Sequence, residues 1–215
     1  MCHDICVTPV RPYRGIDATA RLAQRRRQLL TAGLDLLGAE GAEATDLTVR
    51  AVCGQAGLAA RYFYESFTDK DHFVAAVYDW VIGDIATSTQ AVVAAAPLAE
   101  QTGAAMRNIV RTIAEDPRVG RLLFSSELAN EMLARKRVES TTFFAMLLGQ
   151  HAEAALNLEE NEHLRATAHF AVGGVAQTIS AWLAGELRLS PEQLVEQLRS
   201  MLDGLAGIES QRKVP

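Results

Sequence analysis

The segment Leu58–Phe67 (Leu-Ala-Ala-Arg-Tyr-Phe-Tyr-Glu-Ser-Phe), with Lys70 just beyond it, concentrates the chemistry of this chain. Four of the eleven Tyr and Phe residues fall between Tyr62 and Phe67. On a helix this spacing puts Arg, Tyr and Ser on one side and Phe on the other. Arg61 carries the planar fork that pairs with guanine O6 and N7, and Tyr62 can meet a thymine methyl or a phosphate. That is the chemistry of a helix laid in a DNA groove, so DNA reading is the expected function.

Such a helix needs a partner helix, a tight turn and a buried inner face to hold it. Thr48 is a good N-cap for a helix ending near Gln55, and Gly57 permits the turn. Val49, Val52, Cys53 and Ala56 supply the inner face of that first helix, with Cys53 as the small residue at the crossing. Leu58, Phe63 and Phe67 pin a second helix over about 59–66. Ala60, Arg61, Tyr62, Tyr64, Glu65 and Ser66 remain as outward groups. Thr48 and Lys70 sit at helix starts, where backbone N–H groups and a cation suit phosphate.

The whole chain reads as all-α: Ala and Leu are abundant, β-branched runs are short, and apolar residues recur at helical spacing. Residues 1–17 hold Pro9, Pro12 and Gly15 and read as a flexible basic arm, whose Arg11 and Arg14 can reach a minor groove. A first helix is expected from Thr19 to Glu40, burying Leu22, Leu29, Gly33, Leu36 and Leu37 and closed by Gly41. Residues 18–67 form the expected helix-turn-helix unit, and 68–215 a second helical unit for ligand binding and dimerisation. Thr68 and Asp71 resemble a capping box opening a long helix over about 70–95, which touches both units and would act as the lever. Further helices are expected at about 98–115, 117–124, 127–157, 161–187 and 191–208, giving about nine in all. Ser190-Pro191-Glu192-Gln193 gives the last of these the clearest start.

The formal charge of −5 is unevenly divided. Residues 1–70 carry nine basic and eight acidic side chains, and the remainder twelve against eighteen. Residues 11–27 hold six arginines against Asp17 alone. Local charge decides where phosphate is met, so the N-terminal end is the DNA-facing end. A hydrophobic content of 49% is ample for a core. No uninterrupted run of 18 apolar residues occurs and the first thirty residues contain six arginines, which argues against a membrane span or secretory signal. Three widely split cysteines fit a reducing, cytoplasmic setting.

The run Thr48-Val49-Arg50, then Ala56-Gly57-Leu58, then Phe63-Tyr64, Phe67 and Lys70, resembles the DNA-binding domain of TetR-family transcriptional regulators. The likeness spans about Leu22 to Phe73. Pro12-Tyr13-Arg14-Gly15 and Arg61–Phe67 are similar to a subgroup common in actinobacteria. The resemblance implies a homodimer on a palindromic double-stranded operator, an all-helical C-terminal ligand domain, and a repressor released by a small molecule. It also implies that Tyr64 touches the sugar-phosphate backbone. One position departs: Ala59 stands where the family usually has Ser or Thr, so the second helix lacks a side-chain cap. The DNA-contact set is therefore Arg14, Thr48, Ala60, Arg61, Tyr62, Tyr64 and Lys70.

Two apolar stripes lie near the C-terminus. Leu194, Leu198, Met201, Leu205 and Ile208 follow a 4-3-4-3 spacing, and Val172, Ala176, Ile179 and Leu183 form a similar stripe beside Gly173, Gly174 and Ala184. Packing within one subunit accounts for some of this, and the resemblance implies a four-helix dimer interface for the rest. Trp80, Met106, Phe124, Phe143, Phe144, Met146 and Phe170 either fill the core or line a cavity for a hydrophobic, acyl-like or planar effector. His151 or His169 can border such a pocket.

Other features carry less. Cys2, His3 and Cys6 offer three metal donors, one short of a closed zinc site, and read as a tail. Cys53 reads as an inert packing residue rather than a redox sensor. Glu127, Glu131 and Arg135 are ordinary helix-surface spacings. No nucleophile–base pair, phosphate loop or metal set is present, so no catalytic residue, metal or cofactor is expected. The rival reading is a helical ligand- or partner-binding protein without specific DNA reading.

Overall fold

A computed structural model describes residues 18–42, 47–125, 128, 131–156 and 161–212. Among these the chain is all-helical, with nine α-helices: α1 (Ala18–Leu37), α2 (Val49–Ala56), α3 (Ala60–Tyr64), α4 (Lys70–Ala95), α5 (Gln101–Glu115), α6 (Pro117–Phe124), α7 (Glu131–Leu156), α8 (Glu162–Leu183) and α9 (Pro191–Arg212). Arg11, Arg14, Cys2, His3 and Cys6 lie outside the described residues.

Local chemistry explains most helix starts. The Thr48 side chain accepts from Ala51 N at 3.1 Å and opens α2. Asp116 precedes Pro117 and accepts from Arg118 N, opening α6. Asn161 caps α8 through Leu164 N. Ser190 and Gln193 form the reciprocal box: Gln193 N donates to Ser190 Oγ and Ser190 N to Gln193 Oε1. The start of α4 differs from expectation. Its cap is Asp69, which accepts from His72 N at 2.8 Å, while the Thr68 hydroxyl bonds back to Asp69.

The first helix also differs. It ends at Leu37, next to Gly38, which lies close against Arg118 of α6, and Gly41 (φ 67°) shapes the turn beyond rather than closing the helix. Its buried face is Leu29, Leu30, Leu34 and Leu37, while Leu22 is 43% exposed. The early turns of α1 face α3 with Arg25 and Arg26 instead of leucine: Arg25 lies over the Tyr62 ring and Arg26 over Phe67.

One buried cluster runs from Leu29 to Leu198. Phe73, Val74 and Val77, all fully buried, carry it from the head formed by α1, α2 and α3 into α4. There is no Cβ at Gly33 to fill the space where α1 crosses α4: one would lie 2.6 Å from both Phe73 and Val77. Further along, α4 packs on α5 and α7, α9 on α5, and α8 on α7.

Candidate nucleic-acid interface and internal cavity

In the α2–turn–α3 unit, Val52 and Cys53 are buried and Gly57 takes the left-handed conformation (φ 65°, ψ 30°) that glycine adopts without strain. Gly57 N and Leu58 N donate to Gly54 O and Cys53 O, satisfying the end of α2. Burial pushes the Cys53 thiol pKa up, which disfavours the reactive thiolate.

α3 is fixed from below by aromatics. Phe63, Phe67 and Phe73 are buried, with ring centroids 5.4 Å (63–67), 5.2 Å (63–73) and 4.9 Å (67–73) apart. From the side it is held by α1. Arg25 Nη1 donates to Glu65 Oε2 at 3.1 Å, and Arg26 Nη1 donates to Ser66 O at 3.0 Å. Two guanidinium groups lie over the Tyr62 ring, Arg25 at 4.2 Å and Arg61 at 4.6 Å, and Arg61 Nη2 donates to the Tyr62 hydroxyl at 2.6 Å. Arg25 and Arg26 were visible in the sequence only as basic charge, since their partners lie 40 residues away.

Ala60, Arg61 and Tyr64 are exposed on the outer side of α3, Tyr64 by 61%, and Tyr62 is half-buried beside them. Thr48 is exposed at the start of α2 and Lys70 half-buried at the start of α4. Ala59 provides no side-chain cap to α3, as the sequence implied.

A second set of polar contacts joins this head to α6. Arg118 pairs with Asp35 of α1 and with Asp116 (2.6 Å), and Asp35 also accepts from Gln55 of α2 at 3.1 Å. Arg121 Nη1 donates to Gly38 O at 2.7 Å. Hydrogen bonding to Asp116 raises the Arg118 pKa, and the same bond holds the Asp116 carboxyl below its ordinary value.

Behind this contact lies a cavity of about 1040 Å³ bordered by α4 to α9. Met106, Phe124 and Phe144 line it as expected, as does His151. Trp80, Phe143 and Phe170 do not line it: Trp80 packs on the buried cluster, while Phe143 (39% exposed) and Phe170 (70%) face outward. Nor do Met146, half-exposed, or His169 border it. Helical spacing identifies an apolar residue without saying which neighbour it meets, and here α7 and α8 each present apolar residues on two sides. Tyr78, Arg137 and Ser140, which sequence reasoning passed over, form a polar corner of the lining.

The two C-terminal stripes are used mostly inside the chain. Ile179, Leu194 and Leu198 are fully buried, and Val172, Ala176, Ile179 and Leu205 border the cavity. Only Leu183 (40%) and Met201 (51%) of the eight residues expected at a dimer interface are strongly exposed. The α9 seam packs against α5, a partner its spacing could not distinguish from a second subunit. Ile208 belongs to the part of α9 whose side chains are not described. Among the described residues no cluster of His, Cys, Asp and Glu is arranged to hold a metal, and no helix is long and apolar enough to cross a membrane.

No family model and no curated protein matches the sequence. Solved structures do resemble it. The fatty acid degradation regulator FadR from Bacillus halodurans superposes with a TM-score of 0.69 at 15% identity, over 84% of this chain and 95% of that one. The transcriptional regulator FadR from Bacillus subtilis, solved with stearoyl-CoA, gives 0.66 at 16% identity, over 82% and 96%. A TetR-family transcriptional regulator from Streptomyces coelicolor gives 0.66 at 16% identity, over 89% and 84%. At such identities the likeness is one of fold, and the fold of this chain is that of the TetR-family transcriptional regulators.

Proposed function

We propose that this chain is a cytoplasmic, non-enzymatic, homodimeric TetR-family regulator that binds a palindromic operator and is released from it by a small apolar effector. The observation that carries the reading is α3: three buried phenylalanines and two arginines of α1 fix it, leaving Arg61 and Tyr64 exposed with Tyr62 half-buried beside them. A helix held so firmly with an Arg–Tyr face outward is preorganised for a groove. Arg61 reads guanine, Tyr62 and Ala60 meet base edges, and Tyr64, Thr48 and Lys70 meet phosphate or sugar.

Two such helices must be spaced to fit successive major grooves, which requires a dimer. Exposed Phe170, Gly174, Leu183, Met201 and Gly204 supply a face on α8 and α9 for it. The cavity would hold the effector, and the acyl chain of the stearoyl-CoA bound by the Bacillus subtilis protein supports an acyl-type apolar ligand. An effector that prefers a conformation with the heads wrongly spaced lowers operator affinity by the ratio of its two affinities.

The test is selection of genomic and random duplex DNA by the purified full chain at low and at physiological salt. A palindromic motif surviving physiological salt is expected, with a steep salt dependence from phosphate contacts. Arg61→Ala or Tyr62→Ala should weaken binding to that motif without altering the dimer. Enrichment only at low salt, with no motif, would favour the second reading, a ligand- or partner-binding protein without specific DNA reading, for which the missing cap at Ala59 is the supporting feature.

A further inference from the structure

Arg137 is out of keeping with the cavity it borders. It is the one Arg or Lys among the described lining residues. Its Nη2 donates to Leu122 O at 3.2 Å and Ser125 O at 2.8 Å, at the C-terminal end of α6. Its Nε is buried and has no hydrogen-bond partner, and no described carboxylate pairs with it. Among the described lining residues the only carboxylate, Asp203, is approached instead by Arg199 Nη1 at 3.4 Å. Burial lowers the pKa of Arg137, with Tyr78 acting weakly in the opposite sense. A guanidinium stays charged in proteins, so this burial is a cost that two carbonyls offset only in part.

The neighbouring hydroxyls cannot serve an acceptor ligand in its place. Ser140 Oγ donates to Arg137 O at 3.0 Å, which leaves Tyr78 as donor in the 2.9 Å Tyr78–Ser140 pair. Thr141 Oγ1 also donates to Arg137 O, at 2.9 Å. Their hydrogens are used, and the guanidinium is the donor with capacity to spare at this corner. From there the lining continues through Phe124, Phe144, Ile109 and Met106, with room for an extended hydrocarbon.

We infer that the cavity takes an amphipathic carboxylate, its head held by Arg137 and its apolar body along Phe124, Phe144 and Met106. This rests on the effector-pocket reading above and deepens it by giving the ligand a charge. A charge-assisted pair formed away from water is stronger than one at the surface, and Arg is suited to grip a carboxylate with more than one N–H.

The probes are dodecanoate and dodecanol, equal in chain length and titrated calorimetrically into the full-length protein at neutral pH. Water solvates the carboxylate far better than the alcohol, so a plainly apolar cavity would prefer dodecanol. Wild type is expected to bind dodecanoate at least about tenfold more tightly. Arg137→Met should abolish or invert that preference while still binding dodecanol, and Arg137→Lys should retain part of it. Equal affinities in wild type, or tighter binding of the alcohol, would overturn the carboxylate and leave the effector pocket standing. Binding of neither probe would remove the pocket reading and this inference with it. A preference undiminished in Arg137→Met would overturn the assignment to Arg137. Should Arg137→Met fail to fold for want of its bonds to α6, the wild-type and Arg137→Lys titrations decide the matter.

Discussion

Gly38→Ala is the substitution whose effect follows most directly from the geometry. Gly38 does not have a positive φ, so its backbone accepts alanine. Space does not: the new Cβ would lie 2.5 Å from Arg118 Cβ, and 2.7 Å from both Arg118 Cα and its carbonyl oxygen. Carbon atoms rest about 3.5–4.0 Å apart, so α6 must retreat by roughly 1 Å. The 2.7 Å bond from Arg121 to Gly38 O would then be stretched beyond hydrogen-bond range. Overpacking of this kind costs about 1–3 kcal/mol, and a lost bond from an ionised donor about 1.5–3 kcal/mol. The retreat relieves the first by giving up the second, so they do not add. The expected loss is ~1–3 kcal/mol, a fall in Tm of about 2–12 °C for a chain of this size. Gly83→Ala is the control, because an added Cβ on the exposed side of α4 meets nothing within 4 Å. That change should gain about 0.5–1 kcal/mol. Thermal unfolding of both variants at one protein concentration checks this. If Gly38→Ala were as stable as Gly83→Ala, the close packing of α6 on α1 would be refuted.

Ala59→Ser should supply the missing cap, since Ala59 already has the extended backbone of an N-cap (φ −72°, ψ 147°). About 1 kcal/mol of added stability in urea unfolding is expected, and no gain would mean the surrounding core already fixes the start of α3. Acid should loosen α6. The Asp116 carboxyl is held below its ordinary value by Arg118, so its contribution is complete above that value and is lost as pH falls through the lower folded value. As pH falls below about 4, Asp116→Asn should therefore lose stability less steeply than wild type. Parallel curves in a pH series of urea unfolding would remove Asp116 from the acid response.

What could be read from the sequence was what neighbours in the chain decide. Thr48, Gly57 and the phenylalanines at 63 and 67 act within about twenty residues, and each does what its residue type and spacing implied. The cap at Ser190 is local in the same sense. Contacts across 40 or 83 residues left no mark: neither Arg26 on Ser66 O nor Arg118 on Asp35 has a periodicity to betray it. The stripes at Val172–Leu183 and Leu194–Leu205 fall between these cases. A 4-3 spacing identifies a packed face, but α5, α7 and a second subunit are equivalent partners to that pattern. Leu22 misleads for the related reason that its helix outruns the core beneath it, where cation–aromatic contacts replace leucine.

Two elements join the cavity to the head, and their contacts differ in kind. α4 enters the head through Phe73, Val74 and Val77, which are fully buried, and reaches the cavity at Ile82, Ile85 and Thr89. Undoing such aromatic packing would cost several kcal/mol, on the order of 3–5 for one large side chain. α4 can therefore tilt with the head but cannot part from it. α6 meets the head through Arg118, Asp35 and Arg121, partly exposed polar groups whose bonds, at about 1.5–3 kcal/mol where the donor is ionised, are worth less than that packing. Its other end contributes Leu123 and Phe124 to the cavity and is tied by two carbonyls to Arg137. A ligand that draws on Arg137 thus acts on the element whose hold on α1 is the easier to change. A tenfold effect on operator affinity needs only about 1.4 kcal/mol of preference between two arrangements, which lies within the worth of a single charge-assisted hydrogen bond.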